Sequence, residues 1–269
     1  MTVCVRFRPL FDTEAKAANW KVANVTSKSE AKEQLVTLDR HGFSFPTVLD
    51  HDCGNESVYR AMCKPIVDQC CQGYNGSVLA YGQTTSGKTH TMLGTPSDSG
   101  VLLRAARDIL AFRESTQGDR DISIYASYME LYNEQINDLL DPASTNLRLR
   151  ESEAEGFYAS GVKVVKCTEL DDFRRLIKIG EKSRHYNKTD VHEHSSRSHT
   201  ILRIVIENRM AESRRIVASE DDEQLHMSFA TKYSILQLVD LAGSERLSES
   251  GNTSIEETGS INKSLFVLA

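Results

Sequence analysis

The sequence predicts an α/β protein, a central mixed but mostly parallel sheet flanked by helices on both faces. Three observations lead there. Gly82-Gln83-Thr84-Thr85-Ser86-Gly87-Lys88-Thr89 fits G-x-x-x-x-G-K-[ST], a pattern that needs a strand before it and a helix after it. The apolar run Ser77-Val78-Leu79-Ala80-Tyr81 supplies the strand, and residues 88–92 can open the helix. On both sides of this unit, strand-like and helix-like segments interleave with no internal repeat or linker, as in layered α/β proteins.

Residues 2–7 begin the chain as a strand, which Pro9 ends. Residues 14–39 are polar and mixed, suiting weak strands with loops, and residues 43–49 form a second apolar stretch. Asn55 is placed to cap a helix whose Val58, Met62, Ile66 and Cys70 recur every fourth residue. Pro65 is its kink point and Gly73 its stop. A helix over residues 101–112 follows the glycine-rich loop, and residues 122–132, rich in Ile and Tyr, read as a central strand. Thr168-x-x-Asp171 has the form of a capping box, with Leu170, Phe173, Leu176 and Ile177 giving the next helix one apolar face. Residues 200–206 and 233–239 are strands, and the acidic run Ser219-Glu220-Asp221-Asp222-Glu223 between them suits a solvated loop.

Bulk properties narrow the function. With 269 residues, 39% hydrophobic and 26% charged, the chain suits one large soluble domain over residues 1–269. A net charge of −6 gives no overall attraction to nucleic acid or an acidic membrane, so neither is expected as a partner. Any acidic partner must meet a local basic patch. The six cysteines form no C-x-x-C pair and read as small buried hydrophobes in a reducing compartment. No signal peptide or membrane-length apolar run is present, so an intracellular, soluble protein is expected.

The glycine-rich loop fixes the chemistry. Gly82 and Gly87 let the backbone curl so that amide N–H groups converge on phosphate oxygens. Lys88 can reach the β- and γ-phosphates, and the Thr89 hydroxyl can take a Mg²⁺ coordination site. Asp240, at the end of an apolar strand, can hold the metal's shell, and Gly243 can offer its N–H to a γ-phosphate. Asn187-Lys188-Thr189-Asp190 matches the guanine-selecting N-K-x-D, but it precedes Asp240-Leu241-Ala242-Gly243 where a GTPase has it following.

Ser195-Ser196-Arg197-Ser198-His199 and Asp240-Leu241-Ala242-Gly243-Ser244-Glu245 then resemble the two switch segments of the kinesin motor domain. Arg6-Phe7-Arg8-Pro9, Tyr74-Asn75-Gly76, residues 127–134 and Asn262-Lys263-Ser264-Leu265 match the same family in the same order, across nearly the whole chain. Residues 181–186 with residues 262–266 look most like the centromere protein E-type, kinesin-7-like branch.

The resemblance implies a kinesin-type P-loop motor fold that hydrolyses ATP with Mg²⁺. Arg6, Arg8, Pro9 and His90 would frame the adenine, and Gln83, Thr84, Thr85, Ser86, Gly87, Lys88 and Thr89 would wrap the phosphates. Thr89 and Ser196 would ligate Mg²⁺, with Asp240 bonding through water. Ser195 and the Gly243 N–H would approach the γ-phosphate and attacking water. Arg197 and Glu245 would pair as the loops close, Glu245 taking the relayed proton. The implied partner is the microtubule, met by Arg148, Arg150, Lys163, Lys166 and Lys263. A homodimer through a coiled coil outside these residues, in the cytoplasm on the cytoskeleton, and the spindle or kinetochore for this branch, complete the expectation.

Two departures bear on this. His192 stands where the family pattern has Asn, and the loop from Arg246 to Ser260 carries Glu249, Glu256 and Glu257 against one Arg. The 269 residues end inside the expected switch helix, which would begin near Glu256. Without the segments that follow in kinesins, a C-terminally truncated fold with an uncovered sheet face and marginal stability is expected. The alternative function is a non-motile, nucleotide-dependent microtubule-binding module or inactive motor fragment.

Overall fold

A computed structural model describes residues 1–9, 20–26, 32–38, 41–152, 156–186, 197–212 and 228–245. The strands are β1 (Cys4–Arg6), β2 (Trp20–Thr26), β3 (Lys32–Leu38), β4 (His41–Phe45), β5 (Thr47–Leu49), β6 (Gly76–Ala80), β7 (Arg120–Tyr132), β8 (Gln135–Asp138), β9 (Arg148–Ser152), β10 (Gly156–Ser160), β11 (Val165–Lys166), β12 (His199–Glu212) and β13 (Ser228–Asp240). The helices are α1 (Asn55–Val58), α2 (Lys64–Cys71), α3 (Lys88–Leu93), α4 (Val101–Ser115) and α5 (Leu170–Tyr186). A π-helical turn, Tyr59–Cys63, joins α1 to α2.

The main sheet runs β11-β7-β12-β13-β6, with β8 paired to β7. It is mixed, as expected, but its balance differs from the mostly parallel expectation. Among the described residues every pairing in this sheet is antiparallel except β13 with β6. The long strands β7, β12 and β13 each reverse against their neighbour, and only β6, which feeds the glycine-rich loop, runs alongside β13 in the same direction. Smaller sheets pair β2-β3-β4, β1 with β5, and β9 with β10.

Register decides which face is core. Leu202 lies between Tyr128 and Leu238, and Ile204 between Ala126 and Leu236. Those residues, with Ile122, Ile124 and Ile206, are buried against Val67 and Cys70 of α2, Ala105 and Ile109 of α4, and Phe173 and Leu176 of α5. The alternate residues Tyr125, Ile201, Val205 and Ile235 are only half-buried, and Leu79 and Tyr233 are exposed. The helices named thus cover the even-numbered face. The switch helix expected from near Glu256 lies outside the described residues.

Two expected caps are rearranged. Gly54, not Asn55, caps α1. Asn55 is fully buried, and its amide donates to the carbonyls of His90 and Asp98 while accepting from Arg6. Pro65 sits in the first turn of α2, directly after the π-turn, and Gly73 (φ +103°) stops the helix in the left-handed region.

At α5 the capping acid is Asp172, not Asp171. Its Oδ2 accepts from the N–H of Thr168 (2.7 Å), the N–H of Glu169 (3.0 Å) and the Thr168 hydroxyl (3.1 Å). The Thr168 amide, with these further donors, lowers its pKa to about 2. A depressed carboxylate pKa contributes stability above its ordinary value that is lost as pH falls toward 2. Asp172→Ala is therefore expected to lower stability at neutral pH by about 1 kcal/mol, a difference that vanishes near pH 2. Thermal melts across that range check it.

Gly180 brings α5 close to β7, because a Cβ there would overlap the ring of Tyr128. Gly180→Ala is expected to destabilise by about 1–3 kcal/mol through overpacking. An unchanged urea midpoint would sink that expectation.

Candidate functional site

The site lies where β6 and β13 end side by side. Asp240 pairs with Ala80 in the last parallel register, so both chains leave the sheet at one edge. The exit segments stay in contact: Leu241 N–H donates to Ala80 O (3.2 Å) and Ser244 N–H to Gly82 O (3.1 Å). Gly82 (φ +153°) and Gly87 (φ +97°) take the positive-φ backbone that curls the loop, and Gly87 caps α3. Thr85 reaches φ +65° without being glycine. A Cβ on Gly82 would also meet the Ser86 hydroxyl at 2.7 Å.

Two side-chain contacts tie loop and strand end together, and a third closes the loop on itself. The Thr89 hydroxyl donates to Asp240 Oδ2 at 2.6 Å. Lys88 folds over the loop, its Nζ donating to the carbonyls of Gly82 (2.8 Å) and Gln83 (2.9 Å). Glu245 reaches back to Thr84, accepting from its N–H at Oε2 (2.8 Å) and from its hydroxyl at Oε1. Both Glu245 oxygens are thus engaged on the glycine-rich loop.

Electrostatics follow from this packing. Burial raises the Asp240 carboxyl above its ordinary pKa, opposed by the Thr89 hydrogen bond and by the charges of Arg184 and Lys88. Burial lowers the Lys88 ammonium, with Asp240 and Glu245 opposing. Burial also pushes Glu245 upward, but the bonds from Thr84 and from its own N–H, with the Lys88 charge, outweigh it and hold the carboxylate below its ordinary value.

The donor set suits a hard divalent cation. Asp240 Oδ1 is buried with no hydrogen-bond partner among the described residues. It lies on the carboxylate whose other oxygen holds the Thr89 hydroxyl. One carboxylate plus one hydroxyl, with few other protein oxygens, matches how Mg²⁺ is bound beside phosphates. Among the described residues no group of three or more His, Cys, Asp or Glu could itself hold a metal.

Of the expected base-framing residues, Pro9 is exposed and its carbonyl accepts from Arg8 Nη1 at 3.0 Å. The Arg8 stem lies about 4 Å from where a Gly87 Cβ would be, and His90 is exposed on α3. Arg6 is turned inward, donating to Asn55 Oδ1 (2.7 Å), Thr91 Oγ1 (2.7 Å) and Cys53 O (3.3 Å). It fixes β1 against α1 and α3. Arg197 is half-buried near the head of β12; Ser195, Ser196 and His192 lie outside the described residues. Arg148, Arg150, Lys163 and Lys166 are all exposed on or beside β9 and β11, next to exposed Leu149 and Phe157. Lys263 lies outside the described residues.

A family model for the kinesin motor domain matches residues 6–269. The chain belongs to the kinesin motor family. Kinesin-like protein KIN-7N of Arabidopsis thaliana is 39% identical over 99% of this motor domain and 31% of its own length. Human centromere-associated protein E is 38% identical over all of it and 10% of its own length, and human kinesin-1 heavy chain 34% over 99% and 26%. The motor domain thus spans less than a third of each of these relatives. A solved fast kinesin superposes with a TM-score of 0.81 at 32% identity, covering all of this chain and 73% of that one. The kinesin fold and the resemblance to the centromere protein E and KIN-7 relatives therefore hold.

The sequence reading named most of the residues that gather at the site but missed three contacts. His199 Nδ1 accepts from Ala242 N–H at 3.0 Å, tying the head of β12 to the segment after β13. Burial lowers its pKa and favours the neutral ring that this acceptor role requires. Arg184 pairs with Glu130 at 3.5 Å and donates to Ser198 Oγ at 3.3 Å. Both had a signal. Arg184 continues the apolar spacing of Phe173, Leu176, Ile177 and Gly180, and Glu130 falls on the even-numbered core face of β7.

Proposed function

We propose that this motor domain hydrolyses ATP with Mg²⁺ and couples turnover to microtubule binding and movement. The observation that carries the reading is the double tie between the glycine-rich loop and the Asp240–Glu245 segment, through Thr89–Asp240 and Thr84–Glu245. A segment held on the loop that grips phosphates can respond to what the loop holds.

On this reading Gln83 to Thr89 wrap the phosphates, and Lys88 leaves the Gly82 and Gln83 carbonyls for the β- and γ-phosphates. Arg6, Arg8, Pro9 and His90 frame the base, Arg6 held in place by its bonds to Asn55 and Thr91. Thr89 and Ser196 would hold Mg²⁺, with Asp240 beside them as the carboxylate of its shell. When bound, Mg²⁺ neutralises charge on the β- and γ-phosphates. Ser195 and the Gly243 N–H approach the γ-phosphate and the attacking water. Glu245 releases Thr84, pairs with Arg197 as the loops close, and accepts the proton relayed from the water. Phosphoryl transfer asks for positioning and charge neutralisation, which these groups supply.

The exposed basic set Arg148, Arg150, Lys163 and Lys166, with Lys263, meets the acidic microtubule surface, giving binding that weakens with salt. A homodimeric full-length protein acting on the cytoskeleton is the reading taken from the family resemblance, and the centromere-associated relative favours the spindle or kinetochore as its place. The test is ATP turnover of the purified protein with and without microtubules. Strong stimulation is expected. Nucleotide binding with no stimulation would instead support a non-motile binding module.

A further inference from the structure

The helical run from α1 through the π-turn to α2 leaves a cleft of about 430 Å³ against α4. No residue of the glycine-rich loop or of the Asp240–Glu245 segment lines it. Helical spacing builds its two walls. Glu56, Arg60 and Lys64 recur every fourth residue on one side, while Arg107 and Asp108 follow Arg104 by three and four on the other. Buried Tyr59 stands between the walls and donates its hydroxyl to Asp108 Oδ2 at 2.8 Å. Apart from Tyr59 the lining is charged, four cations to two carboxylates, in a chain whose net charge is −6.

Both carboxylates of the lining are engaged. Glu56 pairs with Arg60 through Oε1 and with Arg104 through Oε2. Asp108 holds the Tyr59 hydroxyl and lies 3.5 Å from Lys64. Two further acids grip the cations from outside the lining. Asp98 takes Arg104 at 2.9 Å, and Asp68 takes Lys64 at 2.8 Å. Arg104 Nε also donates to the Ser99 carbonyl at 2.7 Å. These bonds fix the cations in place, so a ligand arriving there has little left to order. Arg107 differs. It is exposed and makes no hydrogen bond or ion pair among the described residues. After burial, its charge is the cause that lowers the pKa of Arg104. A solvated ion-pair network is the simpler account of so many charges, but such a network pairs them. This one sets an unmatched guanidinium beside another in a concave site.

We propose that this cleft is an anion site separate from the glycine-rich loop, taking a compact ligand with two or more negative charges on phosphate or carboxylate groups. Arg60, Lys64, Arg104 and Arg107 supply the donors, and the planar forks of the arginines suit either group. The volume falls in the range of small-ligand sites, about 300–1,000 Å³. Charge in place of the usual apolar lining selects a charged ligand.

Isothermal titration calorimetry at low salt tests this, with inorganic pyrophosphate and citrate as separate probes. The proteins are the wild type, R107A, R60A/R107A and K88A, each checked by thermal melting. Binding of pyrophosphate alone marks a phosphate site, and binding of both marks a general polyanion site. Pyrophosphate can also enter the glycine-rich loop, so the event that belongs to the cleft is the one that survives in K88A. R107A is expected to weaken that binding by about tenfold, the scale of one lost hydrogen bond between charged groups, and R60A/R107A by about a hundredfold. Added salt should weaken it further. Arg60 and Arg107 are exposed, so both variants should melt near the wild-type temperature. Loss of all probe binding in K88A would overturn the proposal by placing the anion at the glycine-rich loop alone. Equal binding by wild type and R60A/R107A would overturn it too. So would the absence of both heat and a raised melting temperature at about 10 mM of either probe, well above a millimolar Kd.

Discussion

Glu245→Ala is expected to reduce microtubule-stimulated ATP turnover by at least about a hundredfold while leaving ADP binding close to wild type. The magnitude follows from role. Glu245 is the only acid among residues 241–245, and its carboxylate can leave Thr84 without breaking any strand. If it then pairs with Arg197 out of water and takes the proton, removing it strands a buried charge at about 3–5 kcal/mol, which is a factor of a hundred or more in rate. A solvated pair would contribute only about 0–1 kcal/mol. The size of the effect thus tells a desolvated pair from an exposed one. Glu245→Gln sharpens the comparison. An amide can still accept the Thr84 N–H bond, but it neither pairs with Arg197 as an anion nor takes a proton. A Gln variant as slow as the Ala variant assigns the loss to charge. A fully active Gln variant would remove Glu245 from the reaction.

The glycine-rich loop was legible because its chemistry restricts residue types: only glycine reaches the backbone angles at Gly82 and Gly87, and only a lysine and a hydroxyl serve at Lys88 and Thr89. Asp240 was legible for a similar reason, an acid closing an apolar strand. Sheet polarity was not, since alternation of apolar residues along β7, β12 and β13 gives their faces and says nothing of their directions. Asn55 and Asp172 escaped because several nearby residues could satisfy the same helix-start pattern, and packing chose among them. The bonds of Arg6 to Asn55, Thr91 and Cys53 were not legible for a different reason, since those residues are distant from it in sequence. The Glu245–Thr84 contact half depends on a backbone N–H, which no residue type announces. Glu130 and Arg184 were readable as charges on buried faces, yet their pairing needed the packing of α5 on β7.

Gly243→Ala is the second substitution with a large expected effect, and its cause is steric. A Cβ on Gly243 would overlap both the Glu245 carboxylate and the Thr84 hydroxyl, so the two could not remain joined. Residues 241–243 are buried, which leaves little room for the backbone to yield. The Gly243 N–H is also the group expected to approach the γ-phosphate, and displacing it costs an electrostatic contact that matters most as charge develops. Turnover is therefore expected to fall by about a hundredfold or more, in line with loss of one preorganised donor. Binding of ADP, which has no γ-phosphate, should stay near wild type. This separates Gly243 from Lys88, whose replacement by alanine should weaken ADP and ATP together. Should Gly243→Ala weaken ADP as much as ATP, the residue shapes the loop as a whole. Should it leave turnover intact, the link between the Asp240–Glu245 segment and the phosphates is not the one the reaction uses.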